Sequence, residues 1–247
     1  MKRWLCVLLI SLLIVSMTLT SCTQTTTKIR VATDATWPPF ESVNEQTKEI
    51  EGFDIDLFKA IAEKANIEVE FINVAWDPLL AGMAQGTYDA AISSISILPE
   101  RQAVMLFSDP YFAAGQLVAV RIDNTTITGK SSLSGKTVGV QLGTTGNIEV
   151  NNITGATARP YDDIGLAFQD LMNGQIDAVV ADNPLVLSYV GKNSTKLKTV
   201  GEVFSAENYG IAVAKGKEDL LKKINIALKQ VKAEGIIETL SQKWLEK

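Results

Sequence analysis

Residues 86–92 read GTYDAAI, and residues 174–180 read GQIDAVV. Each stretch follows a segment with helical periodicity and enters a short apolar run that is typical of a buried strand. A second pair of strand entries precedes them in the same order, KIRV at residues 28–31 and KTVGV at residues 136–140. The repetition predicts two similar α/β lobes, the second beginning near residue 116. A chance match of short strand entries is the alternative.

Short apolar strands and amphipathic helices alternate outward from the first of these stretches. Residues 29–33 and 67–74 have the composition of strands, and residues 54–65 place their apolar side chains on one helical face. Asp77 followed by Pro78 predicts the start of another helix, with Asp77 as its N-cap. This alternation is typical of an α/β fold.

The first 22 residues predict where the protein works. Two basic residues precede an apolar run over residues 5–19, and the run ends in LTSC. This pattern predicts a secretory signal, since the run is shorter than the roughly 20 residues that span a bilayer. The Leu-x-x-Cys exit resembles the lipobox of prokaryotic lipoproteins. We therefore expect residues 1–21 to be removed, Cys22 to carry lipid and residues 22–27 to form a tether. An uncleaved membrane anchor is the alternative.

Composition favours binding over chemistry. The chain has 23 basic and 28 acidic residues and no histidine, which removes the most common general base and metal ligand. We find no basic run that would suit nucleic acid, no phosphate loop, no nucleophile elbow and no Cys/His metal pattern. With Cys6 removed and Cys22 lipidated, no disulfide is expected. We expect no cofactor, no metal and no nucleic-acid partner.

Two tryptophans and an aspartate follow strands of the first lobe. Open α/β sheets bind ligands beyond the carboxyl ends of their strands, so these positions are candidates for a site. Asp34 and Trp37 follow the first predicted strand, and Trp76 ends the second. The two indole rings could stack on a flat or cationic group, although Trp37 could also be an ordinary core residue.

A serine cluster and an arginine come after the strand of residues 86–92. Ser93, Ser94 and Ser96 offer hydroxyl groups at the end of this strand, and Arg101 lies just beyond them. An arginine here could be a solvated helix residue, or its guanidinium could bind a carboxylate through two parallel hydrogen bonds.

The second lobe offers an anion site and a further carboxylate. Thr144 and Thr145 lie in GTTG at the predicted start of a helix, where small residues and backbone N–H groups favour an anion. Asp182 follows the strand of residues 174–180 and is either a helix N-cap or a counter-charge for an ammonium group. An arginine, an anion site, an aspartate and two aromatic faces together describe a site for a free amino acid.

Eight motifs in order along the chain support a family assignment. They are TDATWPPFE at 33–41, GFDIDL at 52–57, LPER at 98–101, FSDPYF at 107–112, GTTG at 143–146, ADNP at 181–184, NYGIA at 208–212 and KW at 243–244. From about residue 28 to the end, the chain resembles the polar amino-acid solute-binding proteins of ABC importers.

The resemblance implies a two-lobed periplasmic-binding-protein fold of type II. In that α/β fold each lobe is a mixed sheet flanked by helices, and the ligand lies in the interlobe cleft. The matching positions give residues 28–110 plus 210–247 as the first lobe and residues 116–204 as the second. The hinge crossings are expected near residues 111–115 and 205–209.

The resemblance also implies roles for individual residues at the backbone end of the ligand. The Arg101 position binds the α-carboxylate with help from the Thr145 position. The Asp182 position takes the α-ammonium group, together with backbone or hydroxyl groups near Ser94 and Ser96. Amino-acid capture by these groups needs no cofactor.

The remaining positions concern the ligand's side chain. In the family, the positions of Asp34, Trp37 and Trp76 line the side-chain pocket, and the Gln141 position varies with the ligand. Leu98 departs from the threonine that many members carry, which removes one possible hydroxyl contact. A buried Asp34 would repel an acidic side chain and suit a guanidinium or ammonium group.

The chain is therefore expected to be an extracytoplasmic solute-binding protein that passes a polar amino acid to the membrane permease of an ABC importer. A basic ligand is expected, with arginine favoured over glutamine, and the protein is expected to be a monomer held at the membrane through Cys22. Glutamine is the alternative, because Asp34 and Gln141 would also serve an amide. A dehydratase-like enzyme on the same fold is the second alternative. It would need a general acid or base, and we expect no further carboxylate in the site.

Overall fold

A computed structural model describes residues 28–246. The predicted signal peptide, the tether and Cys22 lie outside the described residues. The strands are β1 (Ile29–Thr33), β2 (Thr36–Trp37), β3 (Glu41–Val43), β4 (Ile50–Glu51), β5 (Val69–Asn73), β6 (Ala90–Ala91), β7 (Leu106–Phe107), β8 (Phe112–Arg121), β9 (Thr137–Gln141), β10 (Thr157–Tyr161), β11 (Ala178–Asp182), β12 (Leu197–Tyr209) and β13 (Ala212–Val213).

The helices fill the connections between these strands, and a short 3₁₀ turn covers Lys130–Ser132. They are α1 (Phe53–Ala65), α2 (Trp76–Ala84), α3 (Pro99–Gln102), α4 (Thr145–Asn151), α5 (Ile164–Met172), α6 (Asn183–Lys192), α7 (Glu218–Ala233) and α8 (Ile236–Trp244). Between residues 28 and 246, no helix combines the length and the apolar character that a membrane span requires.

Two five-stranded sheets form the lobes. The first has the order β5-β1-β6-β13-β7, in which β1 runs parallel to β5 and β6, and β13 runs antiparallel to β6 and β7. The second has the order β10-β9-β11-β8-β12, in which β9 runs parallel to β10 and β11, and β8 runs antiparallel to its neighbours. A small antiparallel sheet, β2-β3-β4, accompanies the first lobe. The predicted two-lobed, mixed α/β architecture is confirmed.

The repeated sequence stretches occupy equivalent places in the two sheets. Residues 86–92 lead into β6, which pairs in parallel with β1, and residues 174–180 lead into β11, which pairs in parallel with β9. The repetition in sequence therefore coincides with a repeated β-α-β arrangement.

Strands β8 and β12 run side by side between the lobes. They are antiparallel, with Phe112 opposite Tyr209 and Ala114 opposite Glu207 at one end, and the register shifts twice farther along β12. The segments predicted as crossings, near residues 111–115 and 205–209, fall on these paired ends. Their action as a hinge stays a prediction.

The first helix packs as its sequence pattern predicts. Ile55, Phe58 and Ile61 are fully buried, and α1 contacts both C-terminal helices. This packing explains why the end of the chain returns to the lobe formed by its beginning, since the apolar face of α1 would otherwise be exposed.

The start of α2 differs from the prediction. Strand β5, the second strand that the sequence predicted, ends at Asn73. Helix α2 begins at Trp76 with Ala75 as its N-cap, and Asp77 lies inside the first turn. Asp77 is therefore not the N-cap, and Trp76 opens the helix instead of ending the strand. Pro78 fits inside the first turn because the N–H groups there have no partner within the helix.

Candidate functional site

One cavity between the lobes collects every residue that the sequence predicted for the site. Its empty volume is about 300 Å³. Its lining residues are Asp34, Trp37, Trp76, Ser93, Ser94, Ser96, Arg101, Gln141, Thr144, Thr145 and Asp182. The structure thus brings together eleven positions that span almost 150 residues of sequence, while their part in ligand binding stays a prediction.

Arg101 is the cation of the cavity. It lies in the short helix α3 and is 7% exposed. Its Nη1 donates to the carbonyl oxygen of Ser96 at 3.0 Å, and its Nη2 donates to that of Gly143 at 3.2 Å. The guanidinium carbon also lies 5.1 Å from the centroid of the Trp76 ring. A guanidinium has five N–H donors, so these bonds leave donors for a carboxylate on a ligand.

The two threonines of GTTG have different roles. Thr144 is the N-cap of α4, where its Oγ1 accepts from the Asn147 N–H and donates to the Gln141 carbonyl oxygen. Its hydroxyl is therefore used to build the turn. Thr145 begins the helix, and its Oγ1 accepts from Gln116 Nε2 at 3.1 Å.

Asp182 holds the N-cap position of α6 but does not cap the helix through its side chain. Its Oδ1 accepts from Gln116 Nε2 at 2.6 Å, and its Oδ2 accepts from the hydroxyl of Tyr209. Burial, followed by the negative charge of Glu207, raises the pKa of Asp182 to about 7. Of the two roles that the sequence left open, the side chain does not act as an N-cap, and its role as a counter-charge for an ammonium group stays a prediction.

The serines of the first lobe are fixed by carboxylates behind them. Ser93 Oγ accepts from the Asp34 N–H at 3.0 Å and donates to Glu41 Oε1 at 3.0 Å. Ser94 has a positive φ of 49°, and its N–H donates to Asp54 Oδ2 at 2.8 Å. Its Oγ is buried and has no protein partner, so this hydroxyl remains for a ligand.

Asp34 and the two tryptophans form another part of the cavity wall. Asp34 Oδ1 accepts from Thr36 Oγ1 at 2.9 Å and Oδ2 accepts from Gln141 Nε2 at 3.0 Å. Burial raises the pKa of this carboxyl group. Trp37 and Trp76 are each 7% exposed, and their indole N–H groups are buried without a protein partner. Such unpaired donors favour a ligand or water in the cavity.

The two lobes contact each other across the cleft. Gln141 of the second lobe donates to Asp34 of the first, and Arg101 of the first donates to the Gly143 carbonyl of the second. At Gly143, where φ is 71°, an added Cβ would lie 3.1 Å from Asp77 Oδ1 and 3.5 Å from Trp76 Nε1. Direct hydrogen bonds therefore connect the two sides of the cleft.

Five further residues stand directly behind the cavity lining, and the sequence reasoning missed them. They are Glu41, Asp54, Gln116, Glu207 and Tyr209, each hydrogen-bonded to a lining residue. Three of the five are carboxylates, which lie behind the residues that line the cavity and are not part of the lining itself. Glu41, Asp54 and Tyr209 occur in the quoted motifs, Glu207 lies in the second predicted crossing and Gln116 directly follows the first. Polar residues in those segments were the available signal.

Glu41 and Asp54 form a buried acidic pair beneath the serines. Both are fully buried, and Tyr111 donates to Asp54 Oδ2 at 2.8 Å. Burial and the charge of Asp54 raise the pKa of Glu41 well above its usual value, and burial raises that of Asp54 to about 7. The pair therefore retains a proton at neutral pH.

Comparison with known sequences identifies related proteins along almost the whole chain. Residues 29–247 match the profile of the bacterial extracellular solute-binding proteins, family 3. The chain is 36% identical over 225 residues to the putative ABC transporter arginine-binding protein 2 of Escherichia coli strain K12, covering 89% of this chain and 91% of that protein. It is 35% identical over 218 residues to the L-cystine-binding protein TcyJ of the same strain, covering 87% and 81%.

Solved structures show the same likeness in three dimensions. An ancestral arginine-binding protein bound to arginine has a TM-score of 0.84 and 43% identity, covering 88% of this chain and 97% of that one. A structure of an ancestral arginine-binding protein bound to glutamine has the same TM-score and identity, covering 89% and 98%. The ancestral amino acid-binding protein AncCDT-1, a precursor of cyclohexadienyl dehydratase, has a TM-score of 0.81 and 36% identity, covering 88% and 95%.

Proposed function

Because this chain belongs to family 3 of the bacterial extracellular solute-binding proteins, we propose that it captures a free basic amino acid, with arginine favoured. In this proposal the closed cleft delivers the amino acid to the membrane permease of an ABC importer. The family is extracellular by description, which agrees with the secretory signal predicted for residues 1–21.

The charges of the cavity carry the proposal. One buried cation, Arg101, and two buried carboxylates, Asp34 and Asp182, line the cavity. Arginine has the complementary set, namely one carboxylate and two cationic groups. Since a buried charge needs an opposite charge or hydrogen bonds, this match favours arginine over a neutral or acidic amino acid. The indole rings of Trp37 and Trp76 suit a planar guanidinium better than the ammonium group of lysine.

Glutamine is the second candidate, and one observation favours it. Asp34 already accepts hydrogen bonds from two neutral groups, Thr36 and Gln141, so its environment tolerates an amide donor. A structural relative at 43% identity is described as an arginine-binding protein bound to glutamine. With glutamine, however, Asp34 would lack a cationic partner.

The proposal is for binding without chemical change. The relatives compared above by sequence are described as binding proteins, whereas AncCDT-1 is described as a precursor of a dehydratase. A dehydratase would convert its ligand, and a solute-binding protein would release it intact. The chemical identity of the recovered ligand therefore separates the two roles.

The experiment is extraction of the ligand from purified protein by denaturation, followed by mass spectrometry and calorimetry of the refolded protein. The titrants are arginine, lysine, histidine, glutamine and cystine. We expect arginine to bind most tightly and to be recovered unchanged. Tight binding of glutamine with no response to arginine would support the alternative ligand. Recovery of a converted product would contradict the binding role, and no response to any amino acid would contradict the function.

We also propose that the protein is a monomer tethered through lipid on Cys22. The Leu-x-x-Cys exit of the signal segment supports the lipid tether. Cys22→Ser should move the protein from the membrane fraction to the soluble fraction or the medium. Retention of the Ser variant in the membrane would favour an uncleaved anchor instead.

A further inference from the structure

Gln116 joins two buried carboxylates behind the cavity. Its Nε2 lies 2.6 Å from Asp182 Oδ1, 2.7 Å from Glu207 Oε1 and 3.1 Å from Thr145 Oγ1. An amide nitrogen carries only two hydrogens, so the three acceptors compete for them. Because Asp182 and Glu207 contact the same nitrogen, they are close neighbours with a neutral group between them.

The other groups that face the two carboxylates are mostly neutral. Ser96 Oγ donates to Glu207 Oε2 at 2.5 Å, and the hydroxyl of Tyr209 donates to Asp182 Oδ2. Arg101 is the cation that faces the two carboxylates, and it donates to carbonyl oxygens instead. Asp182 and Glu207 are 3% and 9% exposed, so water screens their repulsion only weakly.

This arrangement links the cavity to both strands that run between the lobes. Gln116 lies on β8 and Glu207 on β12, while Ser96 belongs to the first lobe and Asp182 to the second. A charge placed on Glu207 is therefore felt at the ammonium end of the cleft. Burial and this charge are the two causes that raise the pKa of Asp182.

We propose that Glu207 is a positioning residue of the ammonium end, and that it keeps a proton on Asp182 until the ligand's α-ammonium group arrives. This inference rests on the proposed function. When the ligand binds, the Asp182 carboxyl group loses its proton to solvent and accepts a hydrogen bond from the ammonium group. One positive charge leaves and one enters, so the charge of the buried cluster is conserved.

The proposal predicts that ligand binding releases protons near neutral pH. With a pKa of about 7 for Asp182 in the free protein, arginine should bind about tenfold more weakly at about pH 6 than at about pH 8. At about pH 6.5, more than about half a proton should be released for each ligand bound. Calorimetry in two buffers with different ionisation enthalpies measures this number.

Glu207→Gln tests the role of the charge, because it keeps the size and hydrogen-bonding capacity of the side chain. The variant should still bind arginine, but proton release should move to lower pH, and the affinity ratio between about pH 6 and pH 8 should fall below about threefold. Glu202→Gln is the matched control, since Glu202 is an exposed carboxylate on the same strand and should leave both quantities unchanged. Asp34 also has a raised pKa, but this residue is unchanged in the parent protein and both variants, so it does not account for differences between them.

Failure of this inference can be separated from failure of the proposed function. Arginine binding with no proton release in the parent protein, or with the same release in Glu207→Gln, would overturn the inference alone. If the Gln variant does not fold, Glu207→Asp replaces it in the test, because Asp keeps the charge but holds it farther from Asp182. Proton release should then move to lower pH, but by less than is expected for Glu207→Gln.

In the parent protein, the carboxyl carbon resonance of Asp182 should titrate near pH 7 and stop doing so with arginine bound. A resonance that titrates identically with and without arginine would also overturn it.

Discussion

Asp34 shows how a single residue can select the ligand. Its two oxygens accept hydrogen bonds from Thr36 and Gln141, and burial raises its pKa. A cationic ligand group would stabilise the ionised carboxylate, whereas an amide would supply only a hydrogen bond. Specificity at this residue therefore depends on whether the side chain of the ligand needs the negative charge of Asp34 as a partner.

Asp34→Asn should weaken arginine binding by about 2 kcal/mol or more and glutamine binding by much less, because only the guanidinium loses a charged partner. Calorimetry of both ligands with both proteins measures the difference. Glu45→Gln, which removes an exposed charge from the same lobe, should leave both affinities unchanged. Equal losses for the two ligands would mean that Asp34 does not distinguish them.

Arg101 and Asp182 make a matched pair for the backbone groups of the ligand. Arg101→Ala and Asp182→Ala should each weaken binding of any amino acid by about 2–5 kcal/mol, because each change leaves a desolvated ligand charge without its partner. Circular dichroism should show a folded protein in both cases, since both side chains line the cavity. Near-normal affinity in either variant would place the site elsewhere.

Among the strands and helices that carry the site, the sequence predicted which elements are present more accurately than where each one begins and ends. The helix at α1 and the strands at β1, β9 and β11 follow directly from apolar periodicity. The eleven lining residues lie at or after the ends of β1, β5, β6, β9 and β11. The start of α2 was misplaced because Asp77-Pro78 is an ordinary capping pattern, and Pro78 is also tolerated at a later position of the first turn.

The carboxylates behind the lining could not be predicted in the same way. Glu41 and Glu207 reach the site only because β3 and β12 bring them behind serines of another segment. Their sequence neighbours give no sign of this contact, which depends on tertiary packing. Ser93 and Thr144 line the cavity as predicted positions of the site, and their hydroxyls also hold the surrounding backbone, which the sequence did not show.

The turn before α4 offers a test of cleft closure. Gly143 has φ of 71° and lies against Trp76 and Asp77 of the other lobe, whereas Gly86 has φ of 72° with open space around its Cβ position. Gly143→Ala and Gly86→Ala should each destabilise the protein by roughly 1 kcal/mol through backbone strain. Only Gly143→Ala should also weaken arginine binding, by about tenfold, because its methyl group opposes closure. Equal affinities for the two variants, measured by calorimetry, would contradict this role.

For the whole molecule, buried acids determine how stability depends on pH. The pKa values of Asp54 and Asp182 are raised to about 7 by burial, and that of Glu41 is raised well above its usual value. The folded state therefore binds more protons than the unfolded state above the ordinary carboxyl range. By linkage, the free energy of unfolding should fall as pH rises from about 4 towards 7.

Ligand-free protein should consequently be more stable at about pH 5 than at about pH 8, by a few kcal/mol at the order-of-magnitude level. Glu41→Gln should reduce this difference, because it removes one titrating member of the buried pair with Asp54. Urea unfolding at the two pH values measures both effects, and Glu45→Gln serves as the exposed control. A parent protein that is more stable at the higher pH would contradict the assignment of buried protons.

A crystal structure of the arginine complex would show most directly whether a free basic amino acid binds between the lobes. We expect the α-carboxylate on Arg101, the α-ammonium group on Asp182 and the guanidinium near Asp34 between the faces of Trp37 and Trp76. Arginine bound in the reverse orientation, bound outside this cavity, or absent from the cleft at saturating concentration would contradict it.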